Sequence, residues 1–296
     1  MWIIYAFGSA LFAGLTAILA KCGIKNMDSN VATALRTIVV LVFSWLLVLL
    51  TGNVGAMDEI SKKTWSFLIL SGLATGASWL CYFRALQIGD VNKVTPIDKS
   101  STVLTMFLAF AFLGEKITLL KIIAMILIGT GTYLMIQKKE VSVQNNEEET
   151  QISKFRKQYE WIIFAFASTI FASLTSILGK VGIEGVDSNL GTAIRTVVVL
   201  IMAWMVVFAT GKQHTVKEAN ARNWLFLILS GIATGASWLC YYRALQMGDA
   251  SVVVPIDKLS ILITIAFSFI VLKEKLNIKS SVGLIGIVAG TLILLI

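Results

Sequence analysis

Two pairs of charged residues lie within apolar segments of the chain, where they are the most plausible carriers of chemistry. Asp98-Lys99 and Asp257-Lys258 each follow one of the chain's two prolines by two residues. Ionisable side chains inside apolar spans are costly, and they commonly carry protons or bind solutes. Asp98 and Asp257 are therefore candidates for proton coupling. Because adjacent helical residues point about 100° apart, we expect that neither aspartate simply neutralises the lysine beside it.

Polar residues also follow one face of several apolar segments, at helical spacing. The third segment carries Ser71, Thr75, Ser78 and Tyr82 on this face, repeated as Ser230, Thr234, Ser237 and Tyr241, and Trp79 and Trp238 flank it. The segment after it carries Ser101, repeated as Ser260, in addition to the charged pairs. The first segment repeats Ser9 and Thr16 as Ser168 and Thr175, and the second repeats Arg36 as Arg195.

Two interpretations of these polar faces differ in what the side chains contact. The hydroxyls can bond to carbonyls of their own helix or join neighbouring helices. Alternatively, they line a polar cavity and bind a solute there. The repetition of coherent faces in both halves favours the cavity, so we predict that the third- and fourth-segment residues and both arginines bind substrate. Cations outnumber anions among them, which favours an anionic or zwitterionic solute.

Apolar runs of about 20 residues supply the elements that must position these side chains, and such runs are long enough to cross a bilayer as helices. The chain has 296 residues, of which 57% are hydrophobic and 14% charged, with a mean hydropathy of +0.82. We predict spans at 2–21, 30–51, 65–88, 93–113, 119–137, 160–180, 189–210, 224–247, 252–272 and 278–296.

The sequence is duplicated. Residues 2–137 align with 161–296 without a gap, and about half of the aligned positions are identical. Each copy contains five predicted spans, and an odd number inverts the second copy relative to the first. The predicted fold is therefore an all-α membrane protein of ten helices in two inverted repeats, 1–137 and 161–296, joined by a charged linker at 138–160.

Composition argues against several other classes of protein. The lone His214 and the three cysteines form no metal-binding pattern, and we expect Cys22, Cys81 and Cys240 to be free thiols. The net charge of +8 is spread over short loops, which suits anionic headgroups better than nucleic acid. The sequence contains neither a nucleophile–base pair nor a phosphate loop, which would indicate an enzyme, and we expect no cofactor.

Three short motifs carry a resemblance to a known family. Tyr82-x-x-Ala85-Leu86 ends the third segment, Pro96 lies in the fourth, and Leu113-Gly114-Glu115 follows its exit. The second copy repeats them, except that Lys273 replaces the glycine. In order, spacing and duplication the chain resembles the EamA branch of the drug/metabolite transporter superfamily. Each copy is similar to its short single-repeat members, which are thought to assemble as inverted pairs.

The resemblance implies secondary, ATP-independent transport of a small metabolite by alternating access, through a cavity lined by the first four helices of each half. It places the fifth and tenth helices outside that cavity, and it does not fix the solute. Two alternatives stay open: a translocator of lipid-linked or amphipathic molecules on the same scaffold, and a membrane regulatory or assembly protein that does not transport. The protein could act as a monomer or a homodimer.

Lysine and arginine are more numerous on the linker side of the predicted spans, because the linker and several loops of the second copy carry them. The positive-inside rule then predicts a prokaryotic inner-membrane protein with a cytoplasmic linker and both termini outside. Larger members of the resembling family commonly keep both termini in the cytoplasm. Alkaline phosphatase fused after Ile296 should therefore be active, whereas a fluorescent fusion there should be dark; the reverse pattern refutes this topology.

Overall fold

The computed structural model describes residues 1–23, 28–52, 55, 57, 60–88, 97–98, 100–135, 151–271 and 277–296. Within these residues the regular elements are all helical, as the sequence predicts. The α-helices are α1 (Trp2–Gly23), α2 (Ser29–Leu50), α3 (Lys62–Ile88), α4 (Ser101–Phe112), α5 (Leu119–Leu134), α6 (Gln151–Gly182), α7 (Ser188–Ala209), α8 (Ala221–Met247), α9 (Ala250–Lys258), α10 (Ser260–Val271) and α11 (Ile278–Ile293). A short 3₁₀ helix at Gln213–Glu218 precedes α8.

Six of these helices are long and apolar enough to cross a membrane. Their spans are Trp2–Ala20, Asn30–Leu50, Lys62–Tyr82, Glu160–Gly182, Ser188–Ala209 and Ala221–Met247, and α4, α5 and α11 are shorter apolar helices. Large apolar side chains such as Leu49, Ile201 and Phe208 are more than half exposed. Serine and threonine are instead often buried. This distribution is the one a helical protein needs when hydrocarbon surrounds it.

The fourth segment of the second copy is broken, where the sequence predicts one helix over 252–272. α9 ends at Lys258 and α10 begins at Ser260, with Leu259 between them. Pro255 has no N–H for the carbonyl four residues earlier, and such a residue weakens the helix around it. The Leu259 N–H bonds to the carbonyl of Ile256 at 3.0 Å, which is the tighter 3₁₀ pattern.

The corresponding stretch of the first copy shows the same turn. Residues 97–98 are helical, Ser100 is in a turn, and α4 starts at Ser101. Pro96 and Lys99 lie outside the described residues. The beginning of the predicted span over 93–113 therefore stays a prediction.

The chain divides into two compact units that each take segments from both sequence copies. The first unit comprises Met1–Gly76 and Leu174–Lys275, and the second comprises Ala77–Ser173 and Leu276–Ile296. The helices α3 and α6 each continue from one unit into the other. The division of the chain into two repeats at 138–160 stays a prediction.

Within the first unit, equivalent glycines allow equivalent helix pairs to approach closely. A Cβ atom on Gly72 of α3 would lie 2.7 Å from the Cβ of Val198 in α7. A Cβ on Gly231 of α8 would lie 2.6 Å from the Cβ of Val39 in α2. Only glycine fits at such contacts, which bring the backbones of paired membrane helices together.

Within the second unit, α5 and α11 are in backbone contact through glycines. A Cβ on Gly131 would lie 2.5 Å from the carbonyl oxygen of Gly283 and 2.8 Å from the backbone nitrogen of Ile287. Backbone atoms cannot rotate away as a side chain can. The fifth helices of the two copies therefore pack on each other, and glycine is required where they meet.

We expect Gly131→Ala to destabilise the protein by about 1–3 kcal/mol, because the added methyl group overpacks a backbone contact. The measurement is the thermal unfolding midpoint of the detergent-solubilised protein. Gly129→Ala is the matched control, because a Cβ there meets only the side chain of Val103, at 3.4 Å. Equal midpoints for the two variants would contradict the close approach of α5 and α11.

Candidate functional site

The first unit buries an arginine about two turns into α7. The N-cap Asp187, whose side chain accepts hydrogen bonds from the N–H groups of Asn189 and Leu190, begins this helix. Arg195 is only 1% exposed. A guanidinium cannot lose its proton under ordinary conditions, so its charge must be stabilised by neighbouring groups.

Hydroxyl oxygens of α3 accept two hydrogen bonds from the Arg195 guanidinium. The Nε atom donates to the Ser71 Oγ at 3.3 Å, and Nη2 donates to the Thr75 Oγ1 at 2.7 Å. Those hydroxyls donate in turn to carbonyls, Ser71 to Thr175 at 2.8 Å and Thr75 to Ser71 at 2.9 Å. Each hydroxyl hydrogen therefore points away from the cation and leaves a lone pair facing it.

Aromatic rings of α8 complete the surroundings of the guanidinium. Its central carbon lies 4.4 Å from the ring centroid of Tyr242 and 5.3 Å from that of Trp238, within cation–π range. Within the described part of the chain, no carboxylate forms an ion pair with Arg195. Hydroxyl dipoles and π faces therefore stabilise the charge without cancelling it.

Glycine at position 179 of α6 makes room for this arrangement. A Cβ atom there would lie 2.6 Å from the Tyr242 ring and 3.1 Å from the Ser71 hydroxyl. The nearby Ser176 shares a 2.8 Å hydrogen bond with the Tyr241 hydroxyl. Tyr241 and Tyr242 pack edge to face, with their centroids 5.2 Å apart.

The equivalent arginine of the first copy, Arg36, has different surroundings. Its side chain is half-buried on α2, and its backbone carbonyl lies against Gly231. Ser230 and Thr234 correspond to Ser71 and Thr75, and they also bond to carbonyls. Among the residues described here, however, neither accepts a hydrogen bond from Arg36. Of the two predicted arginines, Arg195 is held by the hydroxyl face and Arg36 is not.

Asp257 joins α9 to α1 through a serine. The Ser9 hydroxyl donates to the Asp257 Oδ1 at 2.5 Å and lies 3.3 Å from the Ser237 hydroxyl. The Ser237 hydroxyl also donates to the Ser9 carbonyl at 3.1 Å. The Asp257 side chain keeps 15% of its surface exposed.

The prediction that Asp257 does not neutralise the adjacent Lys258 is wrong. The Lys258 Nζ lies 3.7 Å from the Asp257 Oδ2. The helix ends at Lys258, and the long lysine side chain can fold back toward the preceding residue there. The Lys258 side chain remains 44% exposed, so the pair is weakly held.

The second unit repeats the aspartate–serine arrangement. The Ser168 hydroxyl donates to the Asp98 Oδ1 at 2.9 Å and lies 3.3 Å from the Ser78 hydroxyl. Ser78 also donates to the Ser168 carbonyl at 3.2 Å. Asp98, Ser78 and Ser168 occupy the same positions in the repeat as Asp257, Ser237 and Ser9. Lys99 lies outside the described residues.

The remaining predicted residues divide by exposure. Tyr82 packs beside Ala85 and Ala165, and the carbonyl of Ser101 accepts a hydrogen bond from Ser173 at 3.0 Å. Seven members of the predicted set are buried, namely Ser71, Thr75, Ser78, Arg195, Ser230, Thr234 and Ser237. Partly exposed members are Arg36, Trp79, Tyr82, Asp98, Ser101, Trp238, Tyr241, Asp257, Lys258 and Ser260.

Sequence reasoning missed three polar residues on α6. Thr169 donates to the carbonyl of Ile97 at 2.5 Å, Ser173 to that of Ser101, and Ser176 bonds with Tyr241. Their equivalents in the first copy are Ala10, Gly14 and Ala17. A search that relied on polar residues shared by both copies could not find them. Their helical spacing on α6 alone was the available signal.

A sequence profile described as the EamA-like transporter family matches residues 1–137 and 160–296. The chain belongs to this family. An uncharacterized transporter from the cobO 3′ region of a Sinorhizobium species is 48% identical over 134 residues, which are 45% of this chain and 95% of that protein. That relative is therefore about as long as one copy of the duplicated sequence.

Two more distant similarities accompany this match. An uncharacterized protein of Methanocaldococcus jannaschii is 35% identical over 69 residues, covering 23% of this chain and 50% of that protein. A solved structure described only as the crystal structure of a protein superimposes with a TM-score of 0.80. The superposition covers 98% of this chain and 96% of the other at 13% identity, so it shows a shared fold alone.

Membership in the EamA-like family confirms the resemblance found in the sequence. It indicates a transporter rather than an enzyme, and an integral membrane protein. A transporter of this kind acts on a small-molecule solute within a lipid bilayer.

We expect Arg195→Lys to lower the free energy of unfolding of this EamA protein by about 1.5–3 kcal/mol, although the charge is kept. An ammonium group is not planar and cannot both stack on Tyr242 and bond to Ser71 and Thr75. The thermal unfolding midpoint in detergent measures the effect. Arg222→Lys is the control, because Arg222 is exposed and lies over Phe226 at 5.8 Å. Two variants as stable as the parent protein would contradict the role of the guanidinium shape.

Proposed function

We propose that this chain is a secondary transporter of a small polar metabolite, anionic or zwitterionic, that operates by alternating access through a central cavity. The observation that supports the proposal best is the Arg195 cation, which is buried among hydroxyls and aromatic rings without a carboxylate partner among the described residues. In a medium of low dielectric constant, such a charge favours the entry of an anionic group.

The charges of the first unit reinforce this preference. Asp257 is the one acidic residue among the predicted site residues of this unit, and its side chain already lies close to that of Lys258. Arg36 and Arg195 then leave an excess of positive charge. A carboxylate or phosphate suits a guanidinium, because both are planar or multidentate acceptors. A zwitterion suits the same site, since Asp257 and the aromatic faces of Trp238 and Tyr241 can receive its ammonium group.

We assign different tasks to the exposed and the buried members of the predicted set. The partly exposed charged and aromatic side chains contact the solute. The buried hydroxyls hold helices together in the present conformation and exchange partners when the protein changes state. Neutral hydrogen bonds contribute about 0.5–1.5 kcal/mol each, so a few of them can be exchanged at a cost that solute binding can offset.

The aspartates are the proposed sites of coupling. Asp98 and Asp257 each accept a hydrogen bond from a serine and are partly exposed, so a proton can reach them. Protonation would remove the acceptor charge that holds Ser168 or Ser9.

In this proposal the protein lies in a prokaryotic inner membrane, with the linker on the cytoplasmic side, as a monomer or homodimer.

The first experiment identifies the solute. The detergent-solubilised protein is screened by thermal shift against amino acids, carboxylates, sugar phosphates, cationic metabolites and lipid-linked sugars. A solute at about 100 times its Kd should stabilise the protein by about 2.7 kcal/mol. We expect hits among the anionic or zwitterionic compounds, followed by uptake of the labelled solute into proteoliposomes. Stabilisation by only the cationic or lipid-linked compounds would overturn the proposal.

The second experiment tests the coupling in the same proteoliposomes. Asp98→Asn combined with Asp257→Asn should abolish solute uptake driven by a pH gradient, while the thermal unfolding midpoint shows that the double variant still folds. Asp187→Asn is the matched control, because asparagine caps a helix about as well as aspartate and the position is remote from the coupling aspartates in the sequence. Undiminished pH-driven uptake in the double variant would eliminate these aspartates as coupling sites.

A further inference from the structure

A pocket of about 430 Å³ lies in the second unit, beside the start of α4. Its volume falls within the range of about 300–1,000 Å³ that is usual for small-molecule sites. Side chains of α4, α5 and α6 form most of its wall, namely Val103, Leu104, Phe107, Met125, Phe166 and Ile170. All six are apolar.

The two polar residues of the wall have their hydroxyl hydrogens engaged elsewhere. Ser100 and Thr169 both donate to the carbonyl oxygen of Ile97, each at 2.5 Å. Thr169 also contacts the carbonyl of Ala165 at 3.1 Å. A polar ligand would therefore find no hydrogen-bond donor on these side chains. A water molecule would find only these two hydroxyl oxygens as acceptors, whereas an ordered water typically makes about three hydrogen bonds.

Three apolar residues of the pocket wall are exposed at the surface of the protein. Phe107 is 58% exposed, Phe166 is 53% exposed and Ile170 is 48% exposed. These residues lie on apolar helices of an integral membrane protein, so the groups that meet them are hydrocarbon chains. The pocket is continuous with that surface and has the same apolar chemistry.

We propose that this pocket binds one acyl chain of a membrane lipid. An empty pocket would forfeit dispersion contacts along its whole wall, and a hydrocarbon chain restores them. Walls from three helices hold the acyl chain longer than a convex surface would. This longer residence distinguishes the bound lipid from the lipids that surround any membrane helix. The acyl chain packs next to the turn at Ser100, close to Asp98 in the sequence. It therefore also supports the fourth segment of the first copy, which carries this aspartate.

The probe is phosphatidylcholine with a diazirine on one acyl chain, present as a minor component of phosphatidylcholine vesicles that contain the full-length protein. After irradiation, mass spectrometry locates the labelled residues. We expect several-fold more label on the stretches 103–107 and 166–170 than around Leu11. Leu11 is the equivalent of Ile170 in the first copy and has the same 48% exposure.

Filling the pocket supplies the matched comparison. Ile170→Trp should abolish the excess label, whereas Leu11→Trp should leave it intact; Val103→Phe fills the pocket from α4 if the first variant does not fold. Equal labelling at the two equivalent sites in the parent protein would overturn the proposal, as would excess label that survives both filling variants. Neither readout requires transport, so failure here is separate from failure of the proposed function.

Discussion

A polar group inside a bilayer has no water to bond with, and this constraint governs the interior of the protein. A buried hydroxyl is stabilised by a carbonyl or another hydroxyl, and the buried guanidinium of Arg195 needs acceptors on the helices next to it. Ser71 and Thr75 of α3 meet that need for Arg195. Their oxygen atoms accept while their hydrogens bond to the backbone, so one side chain satisfies two demands.

The glycines on the same helices allow the polar contacts to form. Hydroxyl groups are short, and Ser71 reaches Arg195 only because Gly72 lets α3 and α7 approach closely. Gly179 does the same for the ring of Tyr242. Around Arg195, close approach and polar pairing therefore support each other.

Much of this could be predicted from the sequence, for a physical reason. Apolar length identifies membrane helices, and side chains at helical spacing in both copies identify the polar faces. Whether Ser71 would face a cavity or another helix could not be predicted, because both environments favour a hydroxyl. The pairing of Asp257 with Lys258 depended on where α9 ends, which the proline alone did not reveal. Thr169, Ser173 and Ser176 were overlooked because Ala10, Gly14 and Ala17 take their places in the other copy.

Those three hydroxyls also bear on the history of the molecule. A protein assembled from two identical subunits gains or loses every side chain in pairs, and its paired helices must mature together. Two copies within one polypeptide are free of that obligation, and in this chain only the second copy carries these polar anchors. Arg195 is enclosed, whereas Arg36 is partly open. The two copies can therefore differ in how firmly their helices are anchored, which is impossible for two identical subunits.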